Sequence, residues 1–260
     1  MPFQDTENDK WLIAHIEDLA EQTSRGGYVT VSDFLDERQQ GLLSQMEGRL
    51  SSCLWFYGGD ENCERKAAFL IPDYLMEQKE MLAGEELRLI RIRPLDQRFM
   101  AKELTHRDYL GSLMGLGIKR EKIGDIRLDE NGGYVIAKAE IADFICQEMT
   151  SVGRNLVQAE IAELRTLPKA APGVQSLISV SSLRLDALVS RGFNTGRTEA
   201  AKWISGGIVS RNGVVTIAPD RSLAIGDRIT VRGKGRLILL EDRGISRSGR
   251  KQILIERFGK

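Results

Sequence analysis

The chain has 260 residues, an apolar content of 42% and a formal net charge of zero. This length and apolar content suit two or three compact domains, each with its own core. No segment approaches the roughly 18 consecutive apolar residues of a membrane-spanning helix, and the polar start at 1–10 is not a signal peptide. The composition therefore predicts a soluble, cytoplasmic protein with no membrane partner.

The cysteines and histidines argue against a metal centre. Cys53, Cys63 and Cys146 lack the paired spacing of zinc ligands and are odd in number, so they do not indicate a disulfide framework either. The chain has two histidines, His15 and His106, and neither has a neighbouring cysteine partner. We expect no metal site and no cofactor.

Residues 1–82 are predicted to form a small N-terminal α/β domain. A first helix is followed by a longer helix that Ser32 opens, with apolar residues between Leu35 and Met46 on one side. Strands are predicted at 54–57 and 67–71.

Residues 83–166 are predicted to form a ferredoxin-like, or RRM-like, domain. The element order is βαββαβ, with elements at 87–92, 105–116, 125–128, 134–139, 141–149 and 155–162. This fold occurs in RNA-recognition modules and in many unrelated proteins, so it leaves the function open. Tyr134 offers the only ring for base stacking, so any RNA contact here is expected to use shape or phosphate. Prolines and small residues predict a linker at 167–180.

The final third of the chain, residues 181–260, is strongly basic. It has 16 Lys and Arg against 7 Asp and Glu, a net charge of +9, whereas the preceding residues have 21 against 30, a net charge of −9. This local excess predicts a polyanion as the partner. Two short helices are predicted to pack on a small sheet that has a type I′ turn at Asn212-Gly213. The whole chain is therefore predicted to be α+β.

Five motif pieces occur in order within the basic third. They are Arg184-Leu185-Asp186, Gly196-Arg197-Thr198-Glu199-Ala200, Asn212-Gly213, Gly226-Asp227 and Gly233-Lys234-Gly235-Arg236. Over about 182–241 the string resembles the S-four (α-L) RNA-binding domain. It departs from that family at Gly196, where a serine usually caps the helix, and at Arg211, where the strand usually has an apolar residue.

Charge and motif position together give a set of expected RNA contacts. They are Arg184, Arg191, Arg197, Thr198, Lys202, Arg211, Arg232, Lys234, Arg236, Arg247, Arg250 and Lys251. His106 and Arg107, at a predicted helix start, are expected as a secondary RNA contact. Thr105 and Asp108 beside them are also typical of a helix capping box, which is a purely structural role. No catalytic residue is expected.

Further motifs lie outside the basic third. The segments 56–65, 105–112 and 117–125 resemble the hallmarks of the YlmH family, and together with the C-terminal module this resemblance spans nearly the whole chain. It implies a noncatalytic, ribosome-associated protein that binds structured rRNA or tRNA. It also implies, by analogy, a role in rescue of large subunits that hold peptidyl-tRNA, with cell-division phenotypes in some lineages. Independently of this resemblance, we expect a monomer.

Two other function classes stay open. Similar C-terminal modules are appended to pseudouridine synthases, rRNA methyltransferases and a tRNA synthetase, so an RNA-modifying enzyme is one alternative. Arg184-Leu185-Asp186 is similar to the catalytic motif of pseudouridine synthases, but no matching catalytic domain is present, which favours Asp186 as a helix-start carboxylate. The other alternative is a protein adaptor whose basic tail binds an acidic protein.

Overall fold

The chain divides into two compact units, Met1–Ala170 and Ala171–Lys260. The computed structural model describes residues 7–50, 52–95, 104–170, 172–247 and 249–259. Each unit contains helices together with antiparallel β-sheet, which confirms the predicted α+β class. The hydrophobic clusters of the first unit share no residue with that of the second, so each unit has its own core.

The first segment of unit 1 is a three-stranded antiparallel sheet with two helices on one face. Its elements are α1 (Glu7–Gly26), β1 (Thr30–Leu35), α2 (Glu37–Ser44), β2 (Cys53–Tyr57) and β3 (Lys66–Ile71). β3 lies between β1 and β2 and is a nearly unbroken apolar run, as expected for a strand buried on both faces. Leu70 packs in a cluster with Ile16 of α1, whereas Phe69 packs in a second cluster.

The structure corrects the predicted start of the second helix. Ser32 lies inside β1, and its buried hydroxyl accepts a hydrogen bond from the Ala68 N–H of β3 at 2.9 Å. The helix begins five residues later, after Asp36, whose carboxylate accepts the Gln39 N–H at 2.8 Å. The prediction was wrong because a buried serine that stabilises a strand pair has the same sequence signal as a helix cap.

The second segment of unit 1 contains the predicted βαββαβ order. Its elements are α3 (Lys79–Glu86), β4 (Leu87–Pro94), α4 (His106–Gly115), β5 (Ile123–Asp129), β6 (Gly132–Lys138), α5 (Ala139–Glu148), β7 (Ser151–Val152) and β8 (Asn155–Ala162). The strand order β5-β6-β4-β8-β7 has the first strand of the motif at its centre, and neighbouring strands are antiparallel. This order is the ferredoxin-like arrangement.

Each face of this central sheet packs against other elements. Ile90 and Val135 pack on one face with residues of α4 and α5. Leu89 and Ile136 pack on the other face with Phe34 and Phe69 of the first segment. The two segments that were predicted as separate domains, 1–82 and 83–166, therefore share a hydrophobic cluster and lie in a single compact unit.

Unit 2 is a six-stranded antiparallel sheet with two short helices. Its elements are β9 (Val174–Val180), α6 (Leu185–Gly192), α7 (Arg197–Ser205), β10 (Val209–Arg211), β11 (Val214–Val215), β12 (Arg228–Val231), β13 (Gly235–Ile245) and β14 (Lys251–Phe258), in the order β11-β10-β12-β13-β14-β9. Leu188 of α6 and Ile204 of α7 belong to one core cluster with the sheet residues Ile229 and Leu237. Asn212 and Gly213 both have positive φ, 48° and 77°, as a type I′ turn requires.

The predicted linker is shorter than expected. β9 occupies the second half of 167–180 and pairs with β14 along all seven of its residues, from Val174 with Arg257 to Val180 with Lys251. Val180 is buried in the core of unit 2. The nearby prolines, Pro168 and Pro172, had suggested a linker, but they precede the strand, where they interrupt no pairing.

Candidate nucleic-acid interface

The two helices of unit 2 place a pair of arginines together. Arg184 is the residue before α6, and Arg197 is the first residue of α7. Both side chains converge on Asp186, with Arg184 Nε 3.2 Å from Oδ1 and Arg197 Nη2 2.8 Å from Oδ2. Oδ1 also accepts the Ala187 N–H at 2.8 Å. Both carboxylate oxygens therefore have donors.

The arginine pair is exposed while its carboxylate is buried. The side chain of Asp186 is 11% exposed, against 42% for Arg184 and 56% for Arg197. Burial alone would raise the pKa of Asp186, but hydrogen bonds from the two arginines outweigh it and hold this pKa below its ordinary value. Asp186 is therefore ionised at neutral pH, and the three groups carry a net charge of about +1.

The hairpin of β13 and β14 ends in a basic turn. Arg247 and Arg250 are exposed in this turn, and among the described residues neither forms an ion pair. Lys251 Nζ lies 2.9 Å from Asp242 Oδ2. Lys251 pairs with Val180, which is four residues before Arg184 along the chain.

A second cationic group lies at the other end of the sheet, in the connection from β12 to β13. Arg232 and Lys234 are exposed there, and Lys234 Nζ lies 4.6 Å from the ring centroid of Trp203. The Arg236 guanidinium lies 4.6 Å from the ring centroid of Phe258. β13 has 11 residues, so at about 3.3 Å per residue this group lies about 35 Å along the strand from the hairpin turn.

The remaining predicted contacts of unit 2 differ in exposure. Arg191, Thr198 and Lys202 are exposed on α6 and α7. Arg211 is only 25% exposed, and its Nη2 lies 2.8 Å from the buried Asp227 Oδ2. An internal ion pair thus holds the arginine at the position where the S-four family usually has an apolar residue.

His106 and Arg107 are exposed in the first turn of α4. The Asp108 carboxylate accepts hydrogen bonds from the Thr105 N–H at 2.8 Å and from its hydroxyl at 2.6 Å. The predicted capping box is thus confirmed. His106 and Arg107 belong to unit 1, whereas the other predicted contacts belong to unit 2.

Tyr134 is not available for base stacking in this structure. Its side chain is 6% exposed and belongs to the cluster between the central sheet and the first segment of unit 1. Its hydroxyl lies 3.1 Å from Asp129 Oδ2, to which it donates a hydrogen bond. The Arg91 guanidinium lies 5.7 Å from the ring centroid. The sheet face that RRM-like domains use for RNA is therefore occupied here by protein.

The motif at 56–65 contacts the motif that ends at Asp125, a relation that sequence reasoning missed. Asp125 accepts the backbone N–H groups of Glu64 and Arg65, each at 2.9 Å. Arg127 Nη2 lies 2.7 Å from Asp60 Oδ1 and 3.3 Å from Cys63 Sγ. These contacts join the two segments of unit 1, so the motif residues that form them have a structural role.

The described residues contain no group of three His, Cys, Asp or Glu side chains that could hold a metal ion. Within the same described part of the chain, no helix is long and apolar enough to cross a membrane.

Comparison with known proteins places the chain in a family. Residues 85–166 match the family model described as "Putative RNA-binding domain in YlmH". The ribosome-associated protein quality control protein P2 of Bacillus subtilis (strain 168) is 34% identical over 228 residues, which are 87% of this chain and 86% of that protein. The solved structure of the cell division protein ylmH from Streptococcus pneumoniae is similar in fold, with a TM-score of 0.51 and 19% identity over 65% of this chain and 99% of that one. The chain belongs to the YlmH family.

Proposed function

We propose that the protein is a noncatalytic RNA-binding factor of the ribosome and that unit 2 holds the backbone of structured rRNA or tRNA. The observation that carries this proposal is the set of exposed cations on unit 2, which include Arg197, Lys202, Arg247 and Arg250. Unit 2 has a net charge of +9, since 171–180 contains no charged residue. A surface of this kind attracts phosphates regardless of base sequence.

The comparisons support the ribosomal setting. The Bacillus relative is named as a ribosome-associated quality control protein, and the family model that matches residues 85–166 of unit 1 is described as a putative RNA-binding domain. We propose a ribosomal setting for this chain too, and within it a cytoplasmic monomer that binds the large subunit while this subunit still holds peptidyl-tRNA. His106 and Arg107 form a secondary contact in this proposal, and no cofactor or metal takes part.

The salt dependence of RNA binding tests the electrostatic part of the proposal. We expect the logarithm of affinity for an rRNA or tRNA hairpin to fall linearly with the logarithm of salt concentration, by about 0.7 to 0.9 for each neutralised phosphate. Arg197→Ala and Lys202→Ala should each weaken binding by about 1 kcal/mol, roughly fivefold, for all hairpins alike. Fluorescence anisotropy titrations across a salt series measure both quantities.

Lys10→Ala provides the matched control, because Lys10 is exposed on α1 and its loss removes the same charge from unit 1. Its affinity should equal that of the wild type. A flat salt response, or unchanged binding by a folded Arg197→Ala, Lys202→Ala double variant, would contradict the proposal. A changed nucleoside in rRNA or tRNA incubated with the protein would instead support the enzyme alternative.

A further inference from the structure

Asp186 differs from the exposed acidic partners of arginine in this protein. In the pairs of Arg25 with Glu21 and Arg243 with Glu241, both side chains are exposed. Asp186 is a buried carboxylate that two exposed arginines share. Exposed pairs contribute little because both partners remain solvated, whereas a buried carboxylate strongly favours charged donors that reach it. The geometry of the two arginines therefore depends on Asp186.

Most of the hydrogen-bonding capacity of the two arginines is left for a ligand. A guanidinium has five N–H donors, and Asp186 engages one donor of Arg184 and one of Arg197. Among the described residues neither side chain has another acceptor. Arginine's fixed donor fork matches the geometry of phosphate oxygens, and a side chain that is already ordered loses less entropy on binding.

A carboxylate beside a phosphate site has an electrostatic cost, because it repels the ligand. Its presence there is explained if the ordering of the arginines outweighs that repulsion. We propose that Asp186 is a positioning residue and that Arg184, Arg197 and Asp186 form a clamp for a backbone phosphate of RNA. The clamp deepens the proposed function and rests on it, since it names the part of unit 2 that holds the phosphodiester.

The variant Asp186→Asn separates positioning from charge. Asparagine keeps the shape and one carbonyl oxygen for the Ala187 N–H but loses the charge that attracts the arginines. Charge alone predicts tighter RNA binding, whereas the clamp predicts about tenfold weaker binding to the same hairpin. Asp220→Asn is the matched control, because Asp220 is exposed and lies next to Pro219, whose carbonyl accepts the Asp186 N–H. It should bind as tightly as the wild type or tighter.

A double-mutant cycle then tests whether Asp186 acts through the arginines. In an Arg184→Ala, Arg197→Ala background, Asp186→Asn should cause no further loss of affinity, because nothing remains to be positioned. A further tenfold loss in that background would overturn the clamp. Thermal unfolding of each variant establishes that it is folded.

If Asp186→Asn does not fold, Arg197→Lys decides the question, since it keeps the charge but removes the guanidinium that bonds Asp186. The clamp predicts severalfold weaker binding, and wild-type affinity would overturn it. The two proposals fail differently. A wild-type protein that binds no RNA removes the proposed function, whereas a wild-type protein that binds RNA, with Asp186→Asn as tight as Asp220→Asn, removes only the clamp.

Discussion

Cys63 lies among the polar contacts that join the two segments of unit 1. Its side chain is fully buried, and Arg127 Nη2 donates to its sulfur at 3.3 Å. Burial, followed by the nearby Asp125 carboxylate, raises the pKa of the Cys63 thiol to about 12. Arg127 opposes this rise but is already paired with Asp60. The thiol is therefore protonated at neutral pH and serves as a small buried side chain.

This environment predicts low reactivity for Cys63. Only the thiolate reacts with alkylating reagents, and at pH 8 a thiol with a pKa of about 12 is about 0.01% ionised. Iodoacetamide should therefore label Cys53 and Cys146, which are partly exposed, well before Cys63. Peptide mass mapping of native protein against urea-unfolded protein measures the difference. Equal labelling of all three cysteines in the native protein would contradict the buried position.

The closed face of the central sheet is the main feature at the scale of elements. β4 and β6 turn Leu89, Tyr134 and Ile136 towards the first segment of unit 1, where Phe69 of β3 joins the same cluster. An RRM-like fold alone would suggest that this face binds RNA. In this protein the face contributes to stability instead, and RNA contact by unit 1 would require another surface.

Tyr134→Ala tests this assignment. Removal of a buried aromatic side chain, together with its hydrogen bond to Asp129, should lower the free energy of unfolding by about 3 kcal/mol. The RNA affinity of the remaining folded protein should not change. Urea denaturation and anisotropy titration provide the two readouts. Tyr74→Ala is the control, because Tyr74 is exposed and its removal should lower the free energy of unfolding much less. A stable Tyr134→Ala protein with weakened RNA binding would show that the ring reaches the ligand.

The success of sequence reasoning varied with the range of the interaction. The βαββαβ order, the capping box at Thr105 and the turn at Asn212-Gly213 follow from neighbouring residues, and all three are present. The strand at Ser32 and the pairing of β9 depend on partners far along the chain, and they were missed. The pairing of Asp60 with Arg127, 67 positions apart, has no local signal either.

The candidate site was predictable in composition but not in arrangement. Charge counting and motif order identify the basic unit and most of its cations. Neither shows that Arg184 and Arg197 share Asp186, or that Arg232 and Lys234 lie about 35 Å along β13 from the hairpin turn. These relations depend on how helices pack and how strands are ordered, and a count of residues along the chain contains neither.

At the scale of the whole molecule, the net charge of the chain changes sign at the boundary between the two compact units. Unit 1 has a net charge of −9 and unit 2 of +9, so the neutral total hides two strongly charged bodies. In the proposed function, the acidic unit 1 is tethered to a unit 2 that binds RNA, and it repels RNA at long range. This repulsion is screened beyond a Debye length of about 8–10 Å at physiological salt, so it matters most at low ionic strength.

A fragment of residues 171–260 tests the role of unit 1. If unit 1 acts on RNA only through its charge, the fragment should bind an RNA hairpin about two- to fivefold tighter than the full chain at low salt, because the repulsion is gone. The two affinities should converge as salt increases. The fragment contains the complete core cluster of unit 2, and circular dichroism can verify its folding. If the fragment binds more weakly at every salt concentration, unit 1 contacts RNA directly, and His106→Ala with Arg107→Ala in the full chain should then reproduce the loss.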